Sequence, residues 1–226
     1  MNDVILIGNG PSVKKHEFGK LIDSYKTVVR FNWYHIDGYE KYVGTKTDIW
    51  ITSVFDPVRA KKEYDLVVEH SWEWAARNDT TYQKFYAAKI PAAKTFAKLT
   101  FDMKQYMGLR LGLRRTAMVD ERSYQIWSTG AIAAWWLLKN ELHSYSGKTL
   151  SENNRKMPSF DKIDMYGFDW WDMESNDNHH YGDSQTVGKN HKPKVELVFF
   201  RFLWEEGLIH DLNPESDFHN APRPND

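Results

Sequence analysis

Apolar residues along the chain fall into two alternating patterns. Short unbroken runs at residues 4–7, 27–31, 48–52 (DIWIT), 64–70 (YDLVVEH) and 162–168 (KIDMYGF) have the length and β-branched content of buried strands. Helical spacing separates them. Residues 13–24 place Phe18, Leu21 and Ile22 on one face, and the polar turn Ser128-Thr129-Gly130 opens the apolar helix pattern AIAAWWLLKNEL. The segment 195–209 (VELVFFRFLWEEGLI) reads as the last long helix. Strands alternating with helices predict an α/β fold with a mainly parallel sheet, helices on both faces, and a ligand cleft at the carboxyl ends of the strands.

The pattern weakens over residues 80–125. Within it, MKQYMGLRLGLRRTAM (103–118) sets Arg110, Arg114 and Arg115 among Leu and Met. This is either an amphipathic patch for peripheral membrane contact or an anionic acceptor, or else a solvated helix face. Residues 144–160 read as a polar loop, and the Pro-rich tail 218–226 as a frayed, flexible end. No internal repeat is visible, so one domain is expected over 1–226.

With 30 Lys+Arg against 31 Asp+Glu there is no global field to recruit nucleic acid, and electrostatic arguments must be local. The absence of cysteine removes disulfides, thiolate nucleophiles and Cys-type zinc sites. The start, MNDVILIGNGPS, has neither a basic region nor a long apolar stretch, so a soluble, cytoplasmic protein is expected. Ten Trp, twelve Tyr and twelve Phe supply either a large aromatic core or a ring-lined cleft.

Three turns carry candidate binding chemistry. Gly8-Asn9-Gly10-Pro11-Ser12 lies where a strand hands over to a helix, which points backbone N–H groups and positive helix ends at a ligand. The second strand ends at Asn32, beside the first, and Ser128-Thr129-Gly130 adds hydroxyl donors at another helix start. A fourth segment, NHHYGDSQTVGKNHKPKVE (178–196), sets three histidines near carboxylates. It is open to three readings: a zinc site, a catalytic base with a helper, or a polar surface loop. Adjacent histidines rarely aim at one metal, and the helical His-Glu-x-x-His pattern is missing, which weighs against zinc.

Taken in order, these segments resemble the sialyltransferase superfamily, glycosyltransferase family 29. The family's large motif is matched by VILIGNGPSVKKHEFGKLIDSYKTVVRFN (4–32), and its small motif by STGAIAAWWLL (128–138) with IDMYGFDWW (163–171). The third motif is matched by His179-His180-Tyr181, and the very small motif by His191-Lys-Pro-Lys-Val-Glu196. Residues 53–127 carry no motif and correspond to the acceptor-side variable region. The resemblance implies a Rossmann-like domain of the GT-A-variant sialyltransferase type.

It also implies a CMP-activated acidic sugar as donor, sialic acid or a relative such as Kdo, and a glycan or glycolipid hydroxyl as acceptor. Gly8, Asn9, Gly10, Ser12, Asn32, Ser128, Thr129, Gly130, Gly167, His179 and Tyr181 would then hold the donor. His180 would contact the departing phosphate, although His179 competes for that role. His191 would be the general base and Glu196 its structural, orienting partner. Pro193 suits the first helical position, which places His191 near a positive helix end that keeps its imidazole neutral.

A nucleoside monophosphate leaving group needs no divalent clamp, and no Asp-x-Asp pair is present, so metal-independent, inverting transfer without a cofactor is expected. Secretory members of the family carry a membrane anchor and a disulfide joining the large and small motifs, which points here to a bacterial or viral soluble relative. Two other functions remain open: a non-catalytic nucleotide- or glycan-binding module, and a CMP-sugar hydrolase on the same scaffold.

Overall fold

In the computed structural model the described residues are 2–53, 56–69, 93–94, 96–98, 128–138, 159–169, 179–182, 193–213 and 215. Seven strands form one sheet: β1 (Val4–Ile7), β2 (Thr27–Phe31), β3 (Ile49–Thr52), β4 (Leu66–Glu69), β5 (Phe96–Lys98), β6 (Ile163–Tyr166) and β7 (Ile209–Asp211). Their order is β5-β4-β3-β2-β1-β6-β7, and every neighbouring pair is parallel. The chain winds outward from β1 to β5, then crosses back to build β6 and β7 on the other side of β1. That reversal puts the carboxyl ends of β1, β2 and β6 where α/β proteins bind ligands.

Period-2 alternation sends the side chains of each strand to two cores. Val4 and Leu6 of β1 join Val29, Ile49, Ile51 and Met165 on one face, while Ile5 and Ile7 join Val28, Trp50 and Tyr166 on the other. The first face is covered by α3 (Thr129–Leu137) and α4 (Pro193–Glu205). Every residue of α3 is buried, as expected of a helix that is apolar all round and lies between a sheet and a second helix. In α4, Phe199, Phe200 and Leu203 form the inward stripe, and ring contacts join Trp135 to Phe199 and Phe168 to Phe200. The opposite face carries α1 (Gly19–Asp23), α2 (Glu40–Val43) and a 3-10 turn (Pro11–Lys15).

Three expected elements are corrected. Residues 13–24 do not form one helix: the 3-10 turn ends at Lys15 and α1 begins only at Gly19. The segment 195–209 is not helical to its end, because Gly207 at φ 68° follows α4 and the chain leaves as β7. The helix from Ser128 stops at Leu137, with Leu138 extended, and 139–142 lie outside the described residues. The weakly patterned region contributes an unexpected strand, β5. Among the described residues no helix is long and apolar enough to cross a membrane, and 103–118 fall outside them.

Candidate functional site

The exits of β1 and β6 are packed together. Gly8 N–H donates to Tyr166 O at 2.7 Å, Gly10 N–H to Gly167 O at 2.9 Å, and Ser12 N–H to Asp169 Oδ2 at 2.7 Å. A Cβ on Gly8 would lie 2.1 Å from Gly167 O, and one on Gly10 would lie 2.3 Å from Asp169 Oδ2, so the backbones can approach only through glycine. Gly167 itself turns at φ 81°. Three of the N–H groups expected to face a ligand are therefore engaged inside the protein. Ser12 Oγ is also buried, with no hydrogen-bond partner among the described residues.

Asn32 follows β2 at φ 50°, a left-handed conformation that asparagine tolerates better than most residues. Its own backbone is held by Ile51 O and by Trp50 Nε1, which donates to Asn32 O at 3.0 Å. The side-chain amide reaches in two directions: Nδ2 donates to Thr129 Oγ1 at 2.9 Å, and Oδ1 accepts from Ser53 N–H and Oγ–H at 3.2 Å each. The ends of β2 and β3 and the start of α3 are thus joined at one amide. Arg30, by contrast, is buried and directs its guanidinium to Val43 O at the end of α2 and to Lys46 O and Thr47 Oγ1 in the chain that leads to β3.

Ser128 is the N-cap of α3, with Oγ accepting from Ala131 N–H at 3.2 Å. Its N–H and Oγ–H both donate to the carboxylate of Glu196, from the first turn of α4. Glu196 is buried at 3% exposure, and that burial pushes its carboxyl up to about 7 despite the hydrogen bonds from Ser128, which lower it. Glu196 thus serves as a structural partner of α3. Gly130 packs against Phe168 and Phe31, either of which would crowd a Cβ.

The His179-His180-Tyr181 turn docks on Asn9. His180 N–H donates to Asn9 O at 2.8 Å, and the ring lies between Asn9 O (Nδ1, 3.1 Å) and His35 O (Nε2, 2.9 Å). Burial holds the ring below the ordinary imidazole range, partly offset by those two backbone contacts. A neutral imidazole has one N–H for two carbonyl acceptors, so only a protonated ring satisfies both. Tyr39 and Tyr181 meet the His180 ring edge-on, His179 stacks on Tyr181, and His35 packs beside Tyr181.

The structure therefore brings together Gly8, Asn9, Gly10, Ser12, Asn32, Ser128, Thr129, Gly130, Gly167, His179, His180 and Tyr181, with Glu196 behind them. His191 lies outside the described residues. Sequence reasoning missed Ser53, His35 and Asp169. Ser53 and Asp169 follow strand runs closely, DIWIT and KIDMYGF, and proximity to a strand's carboxyl end is the signal that could have found them. Among the described residues no group of three His, Asp or Glu is placed to hold a metal ion.

Known proteins resemble the chain in sequence over its first half and in fold. The sequence model of glycosyltransferase family 29 (sialyltransferase) matches residues 2–106. CMP-N-acetylneuraminate-beta-1,4-galactoside alpha-2,3-sialyltransferases of Pan troglodytes and Homo sapiens are each 31% identical over 99 residues, 42% of this chain and 26% of theirs. The chain thus spans about a quarter of the length of these curated relatives. Two crystal structures share the fold: a mammalian sialyltransferase with TM-score 0.55 at 17% identity, and one in complex with Gal-beta-1-3GalNAc-ortho-nitrophenol with TM-score 0.54 at 18% identity. Both alignments cover 92% of this chain and 68% of the other. The chain thus resembles glycosyltransferase family 29, the sialyltransferases, over residues 2–106, and shares the fold of solved sialyltransferases.

Proposed function

We propose that the protein is a glycosyltransferase that moves sialic acid, or a related acidic sugar such as Kdo, from its CMP-activated form to a glycan hydroxyl. The observation that carries this is the convergence of Asn9, Asn32, Thr129 and the His179–Tyr181 turn at the carboxyl ends of β1 and β2. The described chain's relatives are named for transfer from CMP-N-acetylneuraminate to a galactoside, which supports the same donor and a galactose-terminated acceptor.

Asn32 Nδ2 and Thr129 Oγ1, at the positive end of α3, face the donor as hydrogen-bonding groups. The Asn9 side chain, whose Nδ2 donates to Phe31 O at 3.4 Å, lies at the end of β2 as well, and His180, held on Asn9 O, exchanges His35 O for a phosphate oxygen of the donor. A phosphate anion there favours the protonated ring, which then donates from both nitrogens.

In the chemical step the acceptor oxygen forms a bond to the anomeric carbon as the anomeric carbon–phosphate oxygen bond breaks. The acceptor proton passes to His191, and CMP leaves with the electron pair. One displacement inverts the anomeric centre. A monophosphate leaves without a diphosphate clamp, so the reaction runs without a metal ion.

Incubation of the protein with CMP-sialic acid, with and without a galactose-terminated oligosaccharide, tests this function. Sialylated product, formed only with the acceptor, is the expected result. Release of free sialic acid alone would make the protein a hydrolase, and CMP-sugar binding without turnover would make it a binding module.

A further inference from the structure

Asn32 poses an orientation problem. A side-chain amide has a nearly symmetric shape but two opposite ends, one accepting and one donating, so a site that needs a donor must keep the amide from turning over. The neighbour on the Thr129 side cannot do this, because the Thr129 hydroxyl both donates and accepts: Nδ2 donates to it at 2.9 Å, and it lies 3.2 Å from Oδ1. The neighbour on the other side is different. Ser53 presents a backbone N–H, which can only donate, at 3.2 Å from Oδ1, and its hydroxyl lies at the same distance. The backbone of Asn32 is already fixed, through its N–H on Ile51 O and its carbonyl under Trp50 Nε1, so the side chain is the remaining freedom.

We propose that Ser53 is a positioning residue for the donor site: it pins Asn32 Oδ1 so that Nδ2 faces Thr129 and the ligand, making position 32 an obligate hydrogen-bond donor to an oxygen of the nucleotide sugar. This rests on the function proposed above. One of the two Nδ2 hydrogens is taken by Thr129, and the second is the one offered to the ligand. Ser53 stands at the end of β3, outside every motif matched in the sequence, and acts only through Asn32.

The test is a double-mutant cycle read by calorimetric titration of CMP. In Ser53→Ala the backbone N–H still sets the sense of the amide but holds Oδ1 without the second donor, and this weaker hold raises the Kd for CMP about three- to tenfold, the range of a single net hydrogen bond. Ser53→Thr keeps the hydroxyl and restores binding to within about twofold of wild type. Asn32→Asp weakens CMP binding by itself. In that background Ser53→Ala has no further effect, because a carboxylate is two-fold symmetric and has no orientation to fix. An equal loss on Ser53→Ala in both backgrounds would overturn the proposal, as would wild-type affinity in Ser53→Ala or failure of Ser53→Thr to rescue it. Unfolding midpoints of the unliganded variants, measured alongside, show that a change in Kd is not a loss of folded protein. Failure of the wild type to bind CMP would instead overturn the proposed function.

Discussion

Glu196 accepts hydrogen bonds from both the N–H and the Oγ–H of Ser128, so the first turn of α4 is fastened to the N-cap of α3. The two helices carry different parts of the candidate chemistry. Thr129 begins α3 and contacts Asn32, while His191 precedes α4 by two residues in the chain. One buried carboxyl thereby ties the helix that follows the proposed base in the chain to the helix proposed to meet the donor.

Stability should reflect that carboxyl directly. Burial raises the Glu196 carboxyl from the ordinary 4.5 to about 7, so the folded protein holds its proton more tightly than the unfolded chain. The sign follows: this contribution is fully present below the ordinary carboxylate range and is lost as pH rises to about 7. Its full size is on the order of 3 kcal/mol from the shift. Unfolding midpoints of wild type and Glu196→Gln, measured between pH 4.5 and 8, should diverge across this window, with the wild type losing more stability as pH rises. Parallel curves would contradict the assignment.

His180 should behave in the opposite sense. Burial disfavours its charged form, so the folded protein loses stability as pH falls through the ordinary imidazole range. Imidazole resonances of His180, followed by NMR, should titrate below those of a free histidine without ligand and move upward on addition of CMP. An unliganded ring that titrates above the free value, or one indifferent to CMP, would count against its place beside the leaving phosphate.

The fused exits of β1 and β6 leave no room for side chains. A Cβ at Gly8 or Gly10 meets Gly167 O or the Asp169 carboxylate well inside contact distance. Gly8→Ala is expected to cost about 1–3 kcal/mol, the range for overpacking, and to lower the unfolding midpoint with CMP binding impaired through the displaced Asn9. Gly38→Ala is the comparison without a clash: nothing lies within 4 Å of its Cβ, and it carries only the backbone cost of its φ of 84°. Gly8 lies outside the left-handed region, so a loss at Gly8→Ala no larger than that at Gly38→Ala would contradict the overpacking.

Proposed catalysis at His191 separates from binding. His191→Ala should retain CMP affinity while the transfer rate falls about 10²-fold or more, the usual range for a general base. Treatment with EDTA should leave the wild-type rate unchanged. Parallel loss of CMP binding and rate would move His191 into the nucleotide site, and inhibition by EDTA would overturn the metal-independent step.

The five strand-like runs were legible in the sequence because buried parallel strands are continuously apolar, and the turns that follow β1 and β2 stood out as polar breaks. β7 was not, since Ile209-His210-Asp211 is too short to show alternation and continues the apolar periodicity of α4 past Gly207. β5 is equally short. In the site, Asn9, Asn32 and Ser128 were found from their places after strands or before a helix. Glu196 was found by motif, yet its phase was readable too: it shares a helix face with Phe199, Phe200 and Leu203, which marks it as buried and in need of a partner. That the partner is Ser128, and that Ser53 and His35 serve Asn32 and His180, depends on long-range pairing that spacing along the chain does not encode.

On the proposed function, the ends of β1 and β2 with the start of α3 form a site for cytidine monophosphate. A thermal-shift panel of CMP, CDP, UDP and GDP tests it most directly. Near saturation CMP should raise the unfolding midpoint by about 5–10 °C, as expected when a ligand at about a hundredfold excess over its Kd binds only the folded chain. UDP and GDP should leave it near its unliganded value. No shift with CMP, or equal shifts with all four nucleotides, would contradict the account.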